Sequence, residues 1–367
     1  MTPVPSCAYN DTEALKVDEV AYSTCEEKPI MISHQRFEHM LKKQTALSQY
    51  STYEIGGEAR YLAEPNTTED LILLLDQVEK KGMNSFIFGS GSNILFPDQP
   101  DPDTLFISMR DHMEANFHDN KLYVSAGMPM SSLALIGAMN GFHDFDFTFL
   151  LPGTFGGGIF MNAKYFSRQM SDVLDTVYYL DLDHISRGVQ AIKAEDCEFG
   201  YKTTIFQKHR WFVTGADLKL EGTVNDPQLL NTILDQFKSQ LYHHSSLGAF
   251  SSYYIGHLEQ LRSQGRKITA MEDVITDRVG KKHFDYPSCG SVFKNNYDYG
   301  VPIGKLADQL NLRGTEYGRA MISPNHGNMI QNRGGAKASD VVHLIQVVQE
   351  SIDKAFGFVP EPEVVIV

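Results

Sequence analysis

The sequence predicts a protein of two or three domains that contains both helices and strands. Its 367 residues are enough for that number of domains. Apolar runs at residues 86–88 and 211–214 predict buried strands, whereas helical periodicity follows Thr67 and Ser339. Glycine-rich segments separate several of these elements, and polar residues able to bind a ligand concentrate in and beside them.

Two helices have start and stop signals. Thr67 is expected to cap the first helix, with Asp70 three residues further on, and Gly82 to end it. Ser339 is expected to cap a long helix whose apolar residues repeat every three or four positions until Gly357. We interpret both helices as structural, because each has one apolar face for a core.

Composition and charge argue against several classes of function. Asp and Glu number 46 against 32 Lys and Arg, and the net charge of −14 argues against general nucleic-acid binding but permits a local basic pocket. The four cysteines are scattered and form no Cys-x-x-Cys pair, which predicts reduced thiols in a cytoplasm. No apolar run approaches about 18 residues, so no membrane span is expected. Residues 1–34 predict a surface extension without the features of a signal peptide.

The densest glycine-rich segment is residues 151–158, which contain four glycines in six positions. Glycine permits positive φ and lets bare backbone approach a ligand, so we expect a loop here and no helix. Successive N–H groups in such a loop form an anion site, and a hydroxyl could hold a phosphate oxygen. Taken alone, a plain turn between strands explains the segment equally well. The candidate ligand-binding residues are Pro152, Gly153, Thr154, Gly156 and Gly157.

A second glycine-rich loop directly follows the predicted strand at residues 86–88. Its small residues, hydroxyls and amide could all donate to phosphate oxygens. It lacks the Gly-x-Gly-x-x-Gly spacing, and no long helix follows, which disfavours a Rossmann dinucleotide site. A tight turn between strands is the alternative. The candidate residues are Gly89, Ser90, Gly91, Ser92 and Asn93.

A third polar cluster lies at residues 287–296, where Ser291, Lys294 and Asn295 stand beside a glycine bend. The Gly-x-Ser-x-Gly spacing is absent and no His–Asp partner set is evident, so a nucleophile elbow is disfavoured. In isolation, a serine in a β-turn explains this stretch. The adjacent histidines at 243 and 244 do not share a helical face, and no metal site is predicted.

Taken together, these segments resemble the UDP-N-acetylenolpyruvoylglucosamine reductase (MurB) family of peptidoglycan synthesis. The resemblance covers residues 45–367 and implies an α+β fold: a two-subdomain FAD-binding half of the vanillyl-alcohol-oxidase/PCMH type, followed by a C-terminal α+β substrate-binding domain. The landmarks are segments 55–57, 89–93, 151–157, 161–163, 290–295, 323–328 and 361–364. The implied boundaries are 1–34 (extension), 35–110 and 111–222 (FAD-binding subdomains), 223–357 (substrate-binding domain) and 358–367 (C-terminal strand with a catalytic glutamate).

The resemblance also implies an activity. FAD is held non-covalently, with its diphosphate against the loops at 89–93 and 152–157. Hydride from NADPH reaches C3 of the enolpyruvyl group of a UDP-sugar by way of FAD, and a proton is added at C2. The implied protein is a cytoplasmic monomer or weak oligomer that uses no metal, nucleic acid or membrane.

Two of the catalytic residues implied by the resemblance come from the motifs at 290–295 and 361–364. Ser291 is the proton donor, and Lys294 and Asn295 are expected to polarise it and bind substrate. Glu363 directly precedes the apolar end of the chain and is expected beside the substrate carboxylate. It should be protonated there or share a proton, because two bare carboxylates repel each other.

One catalytic position departs from the family pattern. The family has Tyr-Arg where this chain has Tyr201 and Lys202. Lysine keeps the positive charge but loses the planar, two-pronged donor set of arginine. The chain is therefore either an active variant with altered geometry or a weakened site. Residues 161–165 also depart from the commoner Asn-Ala-Gly pattern, and residues 240–270 are interpreted as an inserted loop that follows a predicted helix at 227–241.

Two other functions remain open at this stage. One is another flavoprotein of the same fold, such as a sugar or alcohol oxidase. The other is a flavin-binding relative that has lost catalysis, which the lysine at 202 and the insertion would suggest. Ser291 and Glu363 favour the reductase, because an oxidase needs no proton donor at that place.

Overall fold

The computed structural model describes residues 36–118, 121–220 and 246–367, together with positions 226, 228 and 232. The predicted extension at 1–34 and the histidines at 243 and 244 lie outside the described residues. The predicted helix at 227–241 is described only at 228 and 232, which are both helical. None of the described helices combines the length and apolar composition that crossing a bilayer requires.

The first subdomain is a four-stranded sheet packed against the helix Thr68–Lys80, and Phe37, from the helical residues 36–40, is buried in the same core. The strand order is β1-β2-β5-β3, with β1 antiparallel to β2 and the other pairs parallel. The Thr67 hydroxyl accepts a hydrogen bond from the Asp70 N–H at 3.1 Å, so the predicted N-cap is confirmed. Gly82 follows the last turn at φ 63°, as predicted. The elements are β1 (Leu41–Ala46), β2 (Glu58–Ala63), α1 (Thr68–Lys80), β3 (Asn84–Phe88), β4 (Ile94–Leu95) and β5 (Thr104–Ser108).

The second subdomain is a five-stranded antiparallel sheet with the order β11-β10-β12-β7-β6. A helix that is buried along most of its length packs in the core of this subdomain. The predicted strand at 211–214 is confirmed and extends to residue 219. The elements are β6 (Ala115–His118), β7 (Lys121–Ser125), α2 (Met130–Asn140), α3 (Phe155–Phe160), β8 (Lys164–Tyr165), β9 (Arg168–Gln169), β10 (Leu174–Asp181), β11 (Val189–Lys193) and β12 (Trp211–Lys219).

Helix α3 lies inside the glycine-rich segment, so the expectation that no helix forms there is wrong. Its glycines let it pack closely: a Cβ on Gly156 would lie 2.7 Å from the Ala126 Cβ, and one on Gly158 would lie 2.7 Å from the Met130 sulfur. Close packing therefore compensates for the poor helix propensity of glycine, and the helix has only six residues.

A pair of helices occupies much of the region predicted as an inserted loop. Helix α4 (Leu247–Ser263) begins at Ser246, whose hydroxyl caps it, and α5 (Thr269–Gly280) follows. The loop prediction is wrong here, because an apolar stripe on α4 packs into the core of the second subdomain. The buried Tyr254 hydroxyl lies 2.9 Å from the Ser132 hydroxyl on α2. These helices therefore pack with the second of the two subdomains.

The core of the C-terminal lobe is formed mainly by two helices and a three-stranded sheet, and Tyr53, Ile55 and Leu95 of the first subdomain also pack in it. The prediction that Ser339 is the N-cap of the long helix is wrong, because the helix begins at residue 338. The Asp98 carboxylate accepts from the N–H groups of Ala338 at 2.8 Å and Ser339 at 3.2 Å. Gly357 ends the helix at φ 77°, as predicted. The elements are α6 (Ile303–Gln309), β13 (Glu316–Tyr317), β14 (Ala320–Ile322), β15 (Ile330–Asn332) and α7 (Ala338–Phe356).

The end of the chain returns to the first subdomain. Strand β16 (Val365–Ile366) pairs in parallel with β4. At the start of this pair, the Asn93 amide donates to the Glu363 carbonyl at 2.9 Å, and the Asn93 carbonyl accepts from the Val365 N–H at 3.0 Å. The second glycine-rich loop therefore fixes the backbone of Glu363 directly, across 270 positions of sequence.

Candidate active site

A cavity of about 850 Å³ joins the two glycine-rich loops to the C-terminal lobe. Its volume lies within the usual range of small-molecule and cofactor sites. Among the predicted site residues, only Lys294 does not line it. Those that do are Gly89, Ser90, Gly91, Ser92, Asn93, Pro152, Gly153, Thr154, Gly156, Gly157, Tyr201, Lys202, Ser291, Asn295 and Glu363.

The two glycine-rich loops touch each other. A Cβ on Gly89 would lie 2.1 Å from the Thr154 hydroxyl oxygen, and one on Gly153 would lie 2.7 Å from the Ser92 hydroxyl oxygen. Gly153 also has φ 126°, a conformation that side chains disfavour. These glycines are therefore required by the contact between the loops, in addition to any contact with a ligand.

The first loop has fewer backbone N–H groups available to bind an anion than the sequence predicted. The N–H groups of Phe155 and Gly156 donate to the carbonyls of Met128 and Ala126, at 2.7 and 2.9 Å. These two donors hold the loop and do not point to a ligand. The hydroxyl of Thr154 does not cap α3, and it lies between the loops. Neither loop contributes a carboxylate, so their hydroxyl-rich walls fit the diphosphate of FAD.

Lys202 and Glu363 form an ion pair on the cavity wall. The Lys202 Nζ lies 2.6 Å from the Glu363 Oε1, and the two side chains are only 17% and 11% exposed. Lys202 has φ 58°, and its carbonyl accepts from the Gln207 amide at 3.1 Å. The structure therefore supplies the cation that the sequence placed here, together with a carboxylate that already neutralises it.

Residues 291–294 and 361–364 pair as two short antiparallel segments, here called the crossing, which brings Ser291 and Glu363 together. The Lys294 N–H donates to the Glu361 carbonyl at 2.9 Å. Further along, the N–H groups of Glu363 and Val364 both donate to the Val292 carbonyl, at 2.7 and 3.3 Å. Two successive donors on one acceptor form a β-bulge, which re-aims side chains. The bulge explains why Glu363 lines the cavity while Glu361 does not.

Asn328 holds the other strand of this crossing, a role that the sequence did not reveal. Its side chain accepts from the Phe293 N–H at 2.9 Å and donates to the Phe293 carbonyl at 2.8 Å. Its own carbonyl accepts from the Val292 N–H at 2.8 Å. Asn328 is 4% exposed, so these bonds are shielded from water. The amide-rich stretch around residues 322–332 was the signal that could have indicated it.

Tyr201 and Asn295 lie next to each other on the cavity wall. The Tyr201 hydroxyl accepts from the Asn295 N–H at 3.2 Å, and its ring packs edge-on against Tyr297. Burial raises the pKa of Tyr201 to about 12, so the phenol keeps its proton at neutral pH. The Asn295 side-chain oxygen accepts from the Ile303 N–H at 3.1 Å and so satisfies the start of α6.

Lys294 lies away from the cavity. Its Nζ pairs with the Glu361 Oε1 at 2.6 Å, and the Glu361 side chain is 70% exposed. The ammonium group therefore does not contact Ser291 in this arrangement, and the expectation that Lys294 polarises the serine has no geometric support.

Comparison with known proteins agrees with this arrangement. Residues 59–183 match a family model described as FAD binding domain. Residues 282–367 match the model described as UDP-N-acetylenolpyruvoylglucosamine reductase, C-terminal domain. Fold and cavity thus define a flavin-dependent oxidoreductase with a two-subdomain FAD-binding half and a separate C-terminal lobe, and the predicted α+β class is confirmed.

Individual relatives narrow this class. A UDP-N-acetylenolpyruvoylglucosamine reductase from Synechococcus sp. (strain JA-3-3Ab) is 30% identical over 318 residues, which are 87% of this chain and 88% of the relative. One from Treponema denticola is also 30% identical, over 87% of this chain and 91% of the relative. The crystal structure of the reductase (MurB) from Thermus caldophilus superposes with a TM-score of 0.62 at 25% identity, covering 89% of this chain and 98% of that one. The chain belongs to the UDP-N-acetylenolpyruvoylglucosamine reductase family.

Proposed function

We propose that this protein reduces UDP-N-acetylglucosamine-enolpyruvate to UDP-N-acetylmuramate with NADPH, through bound FAD, in cytoplasmic synthesis of peptidoglycan precursors. The observation that carries the proposal is the placement of Ser291, Lys202 and Glu363 on the wall of one cavity with both glycine-rich loops. The names of the relatives support the choice of substrate. A monomeric or weakly oligomeric state stays a prediction.

Lys202 meets the electrostatic requirement of this reaction. An enol ether accepts hydride only if negative charge can move into its carboxylate, so a cation is needed beside that carboxylate. Lys202 is the cation, but it is already paired with Glu363. A second carboxylate arriving there would repel the first. We therefore propose that Glu363 takes up a proton, or shares one, when the substrate carboxylate binds.

Ser291 completes the reaction. FAD, when bound, supplies the hydride that leaves NADPH and ends on C3 of the substrate. The Ser291 hydroxyl gives its proton to C2, and a proton from solvent then restores the hydroxyl, so one hydride and one proton are added in total. Support comes from the crossing: Asn328 holds the backbone of Val292 and Phe293, which directly follow this serine, and the Glu363 N–H donates to the Val292 carbonyl.

The test separates the two half-reactions by rapid mixing. In Ser291→Ala, we expect NADPH to reduce the flavin within about twofold of the wild-type rate. Oxidation of the flavin by the enolpyruvyl substrate should slow by about 10²–10⁴-fold, the usual contribution of a general acid. Ser323→Ala is a control for serine removal in the same lobe, since Ser323 is buried away from the cavity wall.

Two results would count against the proposal. Equal slowing of both half-reactions would show that Ser291 is not the proton donor. NADPH consumption that is the same with and without the sugar nucleotide would point to an oxidase of the same fold.

A further inference from the structure

Lys202 is the second of the two central residues of a tight turn, and its backbone conformation is unusual for a lysine. The turn covers residues 200–203 and is closed by a hydrogen bond from the Gly200 N–H to the Thr203 carbonyl at 2.9 Å. Lys202 has φ 58°, in the left-handed region that residues other than glycine, asparagine and aspartate rarely adopt. Such a conformation persists only where the surrounding structure holds it, and it concentrates at functional sites.

The Gln207 side chain supplies one such restraint. Its amide nitrogen donates to the Lys202 carbonyl at 3.1 Å and to the Phe160 carbonyl at 2.7 Å, so both N–H groups of the amide are used. Phe160 is the last residue of α3, and its carbonyl also accepts from the Thr204 hydroxyl at 3.0 Å. A single amide therefore joins the backbone of Lys202 to the helix that begins within the first glycine-rich loop.

Asn162 holds the other side of the turn in the same way. Its side-chain amide donates to the Gly200 carbonyl at 2.9 Å, and its side-chain oxygen accepts from the Ser171 N–H at 3.0 Å. Asn162 is 1% exposed, whereas Gln207 lines the cavity. Two side-chain amides thus hold the carbonyl groups of the two residues that flank Tyr201.

We infer that Gln207 is a positioning residue for Lys202. Its amide holds the lysine backbone in the left-handed conformation from which the ammonium lies 2.6 Å from the Glu363 carboxylate. A donor on the Lys202 carbonyl fixes the peptide plane that follows the lysine, so losing that donor frees the backbone to leave the disfavoured region. Because the same amide holds the end of α3, the cation is also tied to the flavin-binding half. The inference rests on the proposed function, in which Lys202 is the cation beside the substrate carboxylate.

The test uses Gln207→Met, which removes both amide donors and keeps a side chain of similar length. We expect flavin reduction by NADPH to stay within about twofold of wild type, and flavin oxidation by the enolpyruvyl sugar to slow about five- to tenfold, because the ammonium is no longer held in place. In the Lys202→Met background, the same change should slow that step by less than about twofold, because no cation is left to position. Gln190→Met is the matched control: its amide also donates to a turn carbonyl, that of Arg187 at 2.8 Å, but it does not line the cavity.

A crystal structure of the FAD-loaded variant gives a readout that does not depend on activity. In Gln207→Met, the Lys202 Nζ should lie more than about 4 Å from the Glu363 carboxylate, beyond the ion-pair distance. An unchanged ion pair would overturn the inference, and so would equal slowing with and without the Lys202 cation. Loss of FAD from Gln207→Met would also overturn it, since the amide would then serve the flavin. Gln207→Leu serves if Gln207→Met does not fold.

The inference and the proposed reaction can fail separately. If the ion pair separates in the variant but the wild-type protein does not reduce the enolpyruvyl sugar, the proposed reaction is rejected and the positioning role of Gln207 is kept. If the wild-type protein reduces the sugar and the ion pair stays unchanged in Gln207→Met, the reaction is kept and the positioning role is rejected.

Discussion

Two lysine–glutamate pairs lie at one backbone crossing, one inside the cavity and one outside it. In both pairs, Lys202–Glu363 and Lys294–Glu361, the nitrogen and oxygen are 2.6 Å apart. Both side chains of the inner pair are mostly buried, whereas the Glu361 side chain of the outer pair is 70% exposed. The glutamates are only two residues apart, and the bulge at Val292 sends them to different environments.

The comparison shows that the distance between the two charged groups does not determine how strongly an ion pair contributes to stability or to the chemistry of the site. Water and salt screen the outer pair, and exposed pairs of this kind contribute about 0–1 kcal/mol. The inner pair faces a cavity in which charges interact more strongly and must be balanced when a charged ligand enters. The inner pair should therefore control chemistry, and the outer pair should have little effect on it.

The largest difference is expected between the two glutamates. Glu363→Gln should slow oxidation of the flavin by the enolpyruvyl substrate about hundredfold, because glutamine can donate a hydrogen bond but cannot exchange a proton. The Kd of that substrate should stay the same or fall, because Lys202 loses its competing carboxylate. Rapid-mixing kinetics measure the rate, and titration of the flavin absorbance measures the Kd.

Glu361→Gln is the control for this change, and its rates should stay within about fivefold of wild type. If Glu363→Gln is as fast as wild type, Glu363 acts only as a neutral hydrogen-bond donor. A role for Glu363 in exchanging a proton during flavin oxidation would then be wrong, whereas its protonation on substrate binding would still agree with the result.

A smaller difference is expected between the two lysines. Lys202→Met removes the cation beside the substrate carboxylate, so kcat/KM for the enolpyruvyl sugar should fall about tenfold or more. Lys294→Met should lower it by less than about fivefold, because the Lys294 ammonium does not line the cavity and its partner Glu361 is 70% exposed. Steady-state NADPH consumption at several sugar concentrations measures both. Equal losses would return Lys294 to the substrate-binding role that its motif predicted.

Much of the fold was predictable, because its signals are local. The cap at Thr67 and the stop at Gly357 depend on residues within one helical turn, and both are confirmed. Ser339 failed as a cap because the helix starts one residue earlier, where the carboxylate of Asp98, far away in sequence, accepts from the N–H groups of Ala338 and Ser339. The prediction that no helix forms at α3 failed because close packing against other elements overrode the low helix propensity of its glycines.

The sequence predicted which residues line the candidate site, but it did not predict the contacts that hold them there. Ordered motifs placed the residues that line one cavity. They did not show that Asn93 holds the backbone of Glu363, or that a bulge separates the roles of two neighbouring glutamates. Nor did they show that Arg278 lines the cavity, which depends on contacts of α5 with Leu150 and Tyr165. Contacts between residues far apart in sequence leave no periodic or local signal in a single chain.

The smallest expected effect comes from restoring the family residue at the inner pair. Lys202→Arg keeps the charge and adds a planar donor set that can contact two carboxylates at once. We expect kcat/KM for the enolpyruvyl sugar to rise by less than about threefold, because the lysine already lies 2.6 Å from Glu363 and supplies the charge. Steady-state NADPH consumption measures this, with Lys294→Arg as the control at the outer pair. A rise of tenfold or more would mean that lysine weakens this site, and a large fall would mean that the left-handed backbone at Lys202 directs only the shorter head group to the substrate.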